Sequence, residues 1–229
     1  MQSSILLGLF ALVPCTALAQ APPDVAEILK RVSDTYRAAS EYELIIDLIA
    51  PVLPDEPDLS RHMHMAFKAP DRYRVEGLFP ASQSDVGVVV EDGSTIWLYF
   101  PKVNEVASLP ANERNKYLDP GSLDPEFINE LITGRYRDAM NFAGGAKFLR
   151  DEEIDFAGAK VDCYVVSVPV DGDSFTWWIE KKSNRILREE SGRTRLTFTA
   201  VKLGEPLPDD LFKFEPPPGA TRSTFTSVR

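Results

Sequence analysis

His62 and His64 flank Met63, and on a strand both imidazoles would stand on one face, the spacing by which two histidines can grip a metal ion. Structural metal sites take four ligands, and the neighbouring residues supply no third. The plainer reading is two surface histidines, with Met63 and Met65 turned to the inner side of the same strand. The carboxylate pairs Glu152-Glu153, Glu189-Glu190 and Asp209-Asp210 could in principle do acid and base work. Adjacent residues on a strand point to opposite faces, however, and cannot act on one bond, so these pairs read as solvated surface. Cys163 lies between Val161 and Val165 with no neighbour that would lower its pKa, and reads as inert core. No Gly-x-Ser-x-Gly, His-Glu-x-x-His or glycine-rich phosphate loop occurs, so neither an enzyme nor a cofactor is expected.

Basic residues fall in two clusters: Arg61, Lys68, Arg72 and Arg74 on one pair of strands, and Arg185, Arg188, Arg193 and Arg195 on another. Such clusters commonly balance neighbouring acids. The functional reading is a positive rim, with Lys68, Arg72 and Arg74 as its candidates, that steers a protein partner or an anionic head group. The formal charge of −10 and pI near 4.8 argue against nucleic acid, whose binding needs many Lys and Arg contacts to phosphate.

The amino-terminal run Ile5 to Val13 is apolar, closes on Pro14 and leads into Cys15-Thr16-Ala17-Leu18-Ala19, the pattern of a secretory signal with an Ala-x-Ala cleavage site after Ala19. The rival reading makes Cys15 the lipid-modified first residue of a lipoprotein, but Pro14 stands where such sites want a small residue. Removal of residues 1–19 leaves Cys163 as the single cysteine, so no intramolecular disulfide is available and a packed core must carry the stability. No other stretch approaches the ~20 apolar residues of a membrane helix. The expectation is therefore an exported, monomeric protein that is not integral to a membrane.

The elements that would position these residues follow from periodicity. Asp24 can cap a helix whose apolar residues Val25, Ile28, Leu29, Val32 and Tyr36 recur at helical spacing, ending near Ala39. Beyond Tyr42 the chain changes to short runs rich in Val, Ile, Phe, Tyr and Trp, cut by turn signals such as Glu91-Asp92-Gly93, Phe156-Ala157-Gly158 and Lys182-Ser183-Asn184. Strands are expected at 41–50, 61–68, 72–79, 84–91, 94–100, 103–108, 146–155, 159–169, 173–181, 184–190 and 193–202. Turns so close together join antiparallel neighbours, giving one meander. It is interrupted between Pro110 and Gly145, where Asp124-Pro125-Glu126 opens a helix carrying Phe127, Ile128, Leu131 and Ile132, and a short helical piece follows at Tyr136 to Phe142. The Pro216-Pro217-Pro218 stretch reads as an extended exit with a loose tail to Arg229. No composition break divides residues 20–229, so a single domain is expected.

Arg72-Tyr73-Arg74-Val75-Glu76 alternates cleanly, whereas Ile96-Trp97-Leu98-Tyr99-Phe100 and Phe175-Thr176-Trp177-Trp178-Ile179 are apolar on both faces. A sheet of about eleven strands curls, because strongly twisted open sheets rarely exceed ~10 strands. The helices would then cover its concavity. Which face of the Trp97 and Trp177 strands looks inward is open at this level.

Three motifs carry a resemblance. Phe67-Lys68-Ala69-Pro70-Asp71-Arg72-Tyr73-Arg74, then Asp92-Gly93-Ser94-Thr95-Ile96-Trp97-Leu98-Tyr99-Phe100-Pro101-Lys102-Val103-Asn104, then Leu211-Phe212-Lys213-Phe214-Glu215-Pro216-Pro217-Pro218-Gly219 resemble the LolA/LolB-like outer-membrane lipoprotein carriers, and more closely an uncharacterised periplasmic group of that superfamily. Phe156-Ala157-Gly158, Cys163-Tyr164-Val165-Val166 and Trp177-Trp178-Ile179-Glu180-Lys181 are similar to the same group. The resemblance implies an α+β, mostly β fold: an unclosed antiparallel β-barrel with an N-terminal helix and lid helices over a hydrophobic cavity. It also implies a periplasmic carrier or chaperone for acyl chains of lipids or lipoproteins. The dedicated carriers have Arg before the strand-opening proline where this chain has Ala69, which puts delivery to a lipoprotein receptor in question. On this reading Tyr73, Val75, Trp97, Tyr99, Phe148, Phe175 and Trp177 line the cavity, Phe127, Leu131 and Met140 form the lid, and Gly144-Gly145 is its hinge. The alternative is an envelope sensor or assembly module that uses the same fold to bind a protein partner.

Overall fold

The computed structural model describes residues 22–50, 60–77, 86–114, 133–170 and 172–224. The expected signal segment with Cys15, the helix expected to open at Asp124-Pro125 and the lid candidates Phe127 and Leu131 lie outside the described residues.

Helix α1 (Val25–Ala38) starts where the sequence places it, because the Asp24 carboxylate accepts the Ala26 N–H at 2.9 Å and so satisfies one of the free donors of the first turn. Its buried stripe is Ile28, Leu29, Val32, Ser33 and Tyr36.

The eleven expected strands are present: β1 (Glu41–Ile49), β2 (Arg61–Lys68), β3 (Arg72–Glu76), β4 (Val88–Asp92), β5 (Thr95–Phe100), β6 (Glu105–Pro110), β7 (Lys147–Phe156), β8 (Ala159–Val170), β9 (Asp173–Glu180), β10 (Ile186–Ser191) and β11 (Thr194–Leu203). Strand β3 ends earlier than its pattern predicts. Gly77 takes a φ of +80°, and a Cβ there would lie 2.0 Å from the His62 carbonyl oxygen, so the backbone turns away at the one residue type that permits it.

The connectivity differs from a single meander. With a twelfth strand, β12 (Thr221–Thr224), the order is β12-β6-β5-β4-β3-β2-β1-β11-β10-β9-β8-β7, so the hairpin runs β1 to β6 and β7 to β11 are joined by antiparallel pairing of β1 with β11. Strands β6 and β7, consecutive in the sequence, therefore lie toward opposite ends of the sheet. The sheet is open, as expected for an unclosed barrel.

Strand β12 pairs parallel with β6 and corrects the expectation of a loose tail and an all-antiparallel sheet. It has no apolar alternation to announce it. Asn104 fixes it instead: its carbonyl accepts the Thr221 N–H at 3.0 Å and its side-chain amide donates to the Pro218 carbonyl at 3.4 Å.

Between β6 and β7 the described residues form a 3₁₀ turn (Ala111–Glu113), a single helical turn α2 (Arg135–Arg137) and a 3₁₀ segment (Ala139–Gly145). Segment 135–145 is tied to α1, with Ser33 Oγ donating to the Arg137 carbonyl and Arg37 paired with Asp138 at 2.6 Å. These helical pieces sit on one face of the sheet. That face holds the main core, with Leu44, Ile46, Met65, Val75, Ile96, Leu98, Trp177 and Phe198 almost wholly excluded from solvent. Each such side chain contributes ~1.5–3 kcal/mol through removal of apolar surface from water.

Candidate functional site

The strand register sorts the candidate cavity residues into two groups. Val75 pairs with Met65 on β2 and Val89 on β4, and Val89 pairs with Leu98 on β5. Because directly paired residues share a face, Tyr73, Val75, Met63, Met65, Val89, Ile96 and Leu98 belong to the core-bearing, inner face. Tyr73 is buried there against Phe67, with ring centroids 4.9 Å apart, and Phe67 meets Tyr42 at 5.3 Å. On the other half of the sheet Trp177 is fully buried on the inner face, Phe175 lies under the Arg135 guanidinium at 5.2 Å, and Phe148 meets Tyr164 at 6.5 Å.

Trp97 and Tyr99 do not join them. They alternate with Ile96 and Leu98, so they stand on the outer face, where Phe214 stacks on Trp97 at 5.7 Å and meets Tyr99 at 6.4 Å. The Trp97 indole N–H reaches Asp92 at 3.2 Å, and the Tyr99 hydroxyl bonds Asn104 at 3.2 Å. Met140, expected in the lid, is exposed.

The partner of the outer face is the chain's own carboxyl-terminal strap, residues 204–224. It buries Leu207 and Phe212 against Ala66. The residues expected as a free basic rim hold this strap down. Lys68 donates to the Leu207 carbonyl at 3.0 Å and pairs with Asp209 at 2.8 Å, Arg72 pairs with Asp209 at 3.0 Å, and Arg74 donates to the Leu211 carbonyl at 3.2 Å. The Asp209 carboxyl is held below its ordinary range, first by the Lys68 hydrogen bond and charge and then by Arg72. The basic cluster thus binds the strap because the sheet brings β2 and β3 beneath it.

The two histidines stand together on this outer face, with Met63 and Met65 buried opposite. His62 meets Asp47 at 2.6 Å and His64 meets Glu43 at 2.8 Å, both carboxylates coming from β1. Among the described residues they form no group of three or more metal-ligating side chains. Lys202 on β11 binds the same Glu43 at 2.6 Å, and its hydrogen bond is the main reason the Glu43 carboxyl sits low.

Glu189 corrects the reading of the paired acids as surface. It lies on the inner face, buried, and accepts hydrogen bonds from the Trp177 indole at 2.8 Å and the Tyr136 hydroxyl at 3.0 Å, with Arg135 3.1 Å away. Burial pushes its carboxyl up despite those three favourable partners. A second buried acid, Glu91, ends the inner-facing row of β4 and binds Arg114. In the sequence Glu189 belongs to a pair of adjacent acids and Glu91 to a turn signal, and nothing local marks either as inward. Cys163 is buried between Val161 and Val165 as expected, and desolvation, reinforced by Glu180 and Glu152, pushes its thiol up to about 12.

The glycine pair expected as a hinge has a packing role at one position. A Cβ on Gly145 would lie 2.7 Å from Cγ of Pro169, whereas one on Gly144 would meet nothing within 4 Å.

Among the described residues, the helical contacts gather over one half of the inner face. Tyr136 packs on Trp177 and Phe198 at 5.3 and 6.2 Å, Phe142 on Trp177 at 6.3 Å, and the Tyr36 hydroxyl accepts the Ile186 N–H at 3.2 Å. These contacts fall on β9, β10 and β11. The inner face of β2 to β5 presents Met63, Met65, Phe67, Tyr73, Val75 and Leu98, a soft and largely aromatic or thioether surface.

No model of a known protein family matches the chain. An uncharacterized protein of Methanocaldococcus jannaschii is 24% identical over 197 residues, covering 85% of this chain and 52% of that protein, so the chain spans about half the length of the curated relative it matches. Among solved structures, LprF from Mycobacterium bovis aligns with 82% of this chain and 96% of its own at 14% identity and a TM-score of 0.52. The MucA/MucB complex of Pseudomonas aeruginosa aligns with 84% of this chain and 62% of that one at 14% identity and a TM-score of 0.48. With its open twelve-stranded sheet, leading helix and helical cover, the chain has the LolA-like fold that its motifs resemble.

Proposed function

We propose that this chain is an exported, non-catalytic carrier that works in the periplasm and holds acyl chains of lipids or lipoproteins against the inner face of its sheet. The observation that carries the reading is the inner surface of β2 to β5, where Met63, Met65, Phe67, Tyr73, Val75 and Leu98 form one apolar patch, largely closed to solvent in this structure, which an acyl chain would enter by displacing its cover. Thioether and aromatic side chains adapt to a flexible tail without demanding a fixed shape. About ten buried methylenes at ~0.8 kcal/mol each give ~8 kcal/mol, the scale of a micromolar complex before ordering costs. Such binding is loose in its choice of tail.

Export fits the amino-terminal pattern closing at Ala19, and Tyr73 and Val75 are the expected lining residues that lie on this surface, while Phe175 and Trp177 on β9 lie beneath Arg135, Tyr136 and Phe142. The test is native mass spectrometry of the protein purified from its own envelope, combined with titration of a fluorescent fatty-acid analogue. The carrier reading expects a co-purifying amphiphile and saturable probe binding near one per chain. A chain that arrives empty and takes up no probe overturns it.

A further inference from the structure

The two ends of the sheet are finished differently. At one end the chain lays its own β12 on β6. At the other, β7 pairs with β8 from Lys147 to Phe156, and among the described residues no strand lies on its outward side. An edge strand leaves every second pair of backbone N–H and C=O groups facing outward, a template on which another strand can hydrogen-bond.

Side chains decide which strand. Asp151, Glu153 and Asp155 stand at every second position of β7 and are all exposed. Asp151 meets Lys181 at 2.8 Å and Asp155 meets Lys160 at 3.1 Å, both on the surface, and Glu153 has no ion pair among the described residues. Solvent-exposed pairs are worth ~0–1 kcal/mol, so an incoming cation can take over these carboxylates at little cost. A bulge between Phe148 and Arg150, with Leu149 exposed, disturbs the ladder at the start of the strand and leaves residues 150–156 as the regular part.

The same carboxylates disfavour a second copy. Antiparallel pairing of two β7 strands about Glu153 would place Glu153 opposite Glu153 and Asp151 opposite Asp155, and like charges directly opposite destabilise a pair. Charges on an edge ordinarily block all comers. Here they lie on one face at strand spacing, which repels self and leaves the hydrogen-bonding groups open to a strand of opposite charge. We infer that the β7 edge accepts, as an added strand, an extended segment of a protein partner with Lys or Arg at alternate positions. The inference uses a different surface from the carrier reading and does not depend on it.

The test uses the full chain and a capped synthetic peptide, acetyl-Lys-Thr-Lys-Val-Lys-Thr-Lys-amide, followed by titration and amide hydrogen exchange. Peptide binding is expected to slow exchange within residues 150–156, the combined Asp151→Asn, Glu153→Gln and Asp155→Asn variant is expected to bind about tenfold more weakly, as three exposed charge pairs allow, and a peptide with Glu in place of Lys is expected not to bind. Absence of slowed exchange in β7, protection confined to another strand, or equal binding by the neutralised variant overturns the inference. So does protection of β7 that rises with protein concentration alone, which would assign the edge to a second copy. Fatty-acid probe binding by the neutralised variant should be unchanged; loss of peptide binding with the probe retained separates this inference from the carrier reading.

Discussion

Phe214 stacks on Trp97 across the outer face of the sheet, ring centroids 5.7 Å apart and planes inclined by 22°. The contact joins β5 to a strap that begins beyond β11, so it reports whether the strap is seated. Trp177 and Trp178 are buried, whereas Trp97 is only half-buried beneath the strap. Phe214→Ala is expected to red-shift the Trp97 emission, speed proteolysis within residues 205–224 and cost about 1 kcal/mol, the worth of an aromatic pair. An unshifted spectrum would show that the strap is held by Lys68, Arg72 and Arg74 without the ring.

The buried Glu189 gives a pH prediction whose sign follows from its raised pKa. Burial disfavours the charged form in the folded protein, so the stability linked to this group is full below the ordinary value of 4.5 and is lost as pH rises through the higher folded value. Glu189→Gln removes that slope. The substitution also removes the acidic partner 3.1 Å from Arg135, and loss of one partner of a buried pair costs about 3 kcal/mol. Urea midpoints of both proteins measured from pH 4 to pH 8 check the two effects together.

Gly144 and Gly145 should respond differently to the same substitution. Gly145→Ala drives a methyl into the Pro169 ring and is expected to cost about 1–2 kcal/mol, while Gly144→Ala meets open space and should change stability by less than about 0.5 kcal/mol. Thermal melts of the two variants decide it. If both are silent and acyl-probe exchange slows, the pair acts as a hinge after all.

Opposite faces of one sheet also predict opposite ligand effects. Tyr73→Ala opens the inner face and is expected to weaken fatty-acid probe binding about tenfold, whereas Trp97→Ala acts beneath the strap and should leave the probe affinity unchanged. Probe titrations on samples matched by circular dichroism make the comparison.

Cys163 should ignore thiol reagents until the fold opens. A thiol pushed up to about 12 and shielded from solvent presents almost no thiolate at pH 8. In the chain lacking residues 1–19, labelling by a disulfide reagent is expected to be on the order of a thousandfold slower than in urea-unfolded protein. Rapid labelling in the folded state would place the thiol in an accessible position.

Local pattern carried much of this architecture. Asp24 and the helical spacing from Val25 to Tyr36 specify α1, because a cap and an apolar stripe are properties of a few adjacent residues. The turn signals set all eleven hairpin strands for the same reason, and only their ends moved, as at Gly77. Alternation in Arg72 to Glu76 likewise specified that Tyr73 and Val75 share a face.

Alternation says which residues share a face and not which face is inside, since a strand turned over has the same period of two. For Ile96 to Phe100 and Phe175 to Ile179, apolar on both sides, the choice was made by partners far along the chain: Phe214 claimed Trp97, and Tyr136 with Glu189 claimed Trp177. The pairing of β1 with β11, the parallel seating of β12 through Asn104 and the inward turn of Glu189 belong to the same class. The amino-acid order thus determined the strands, the leading helix and the pairs of residues that share a face, because those depend on neighbours in the chain. Tertiary structure alone decided which side chains face inward, the strapped outer face and, among the described residues, the uncovered β7 edge, because each depends on which distant segment covers a strand and which leaves it bare.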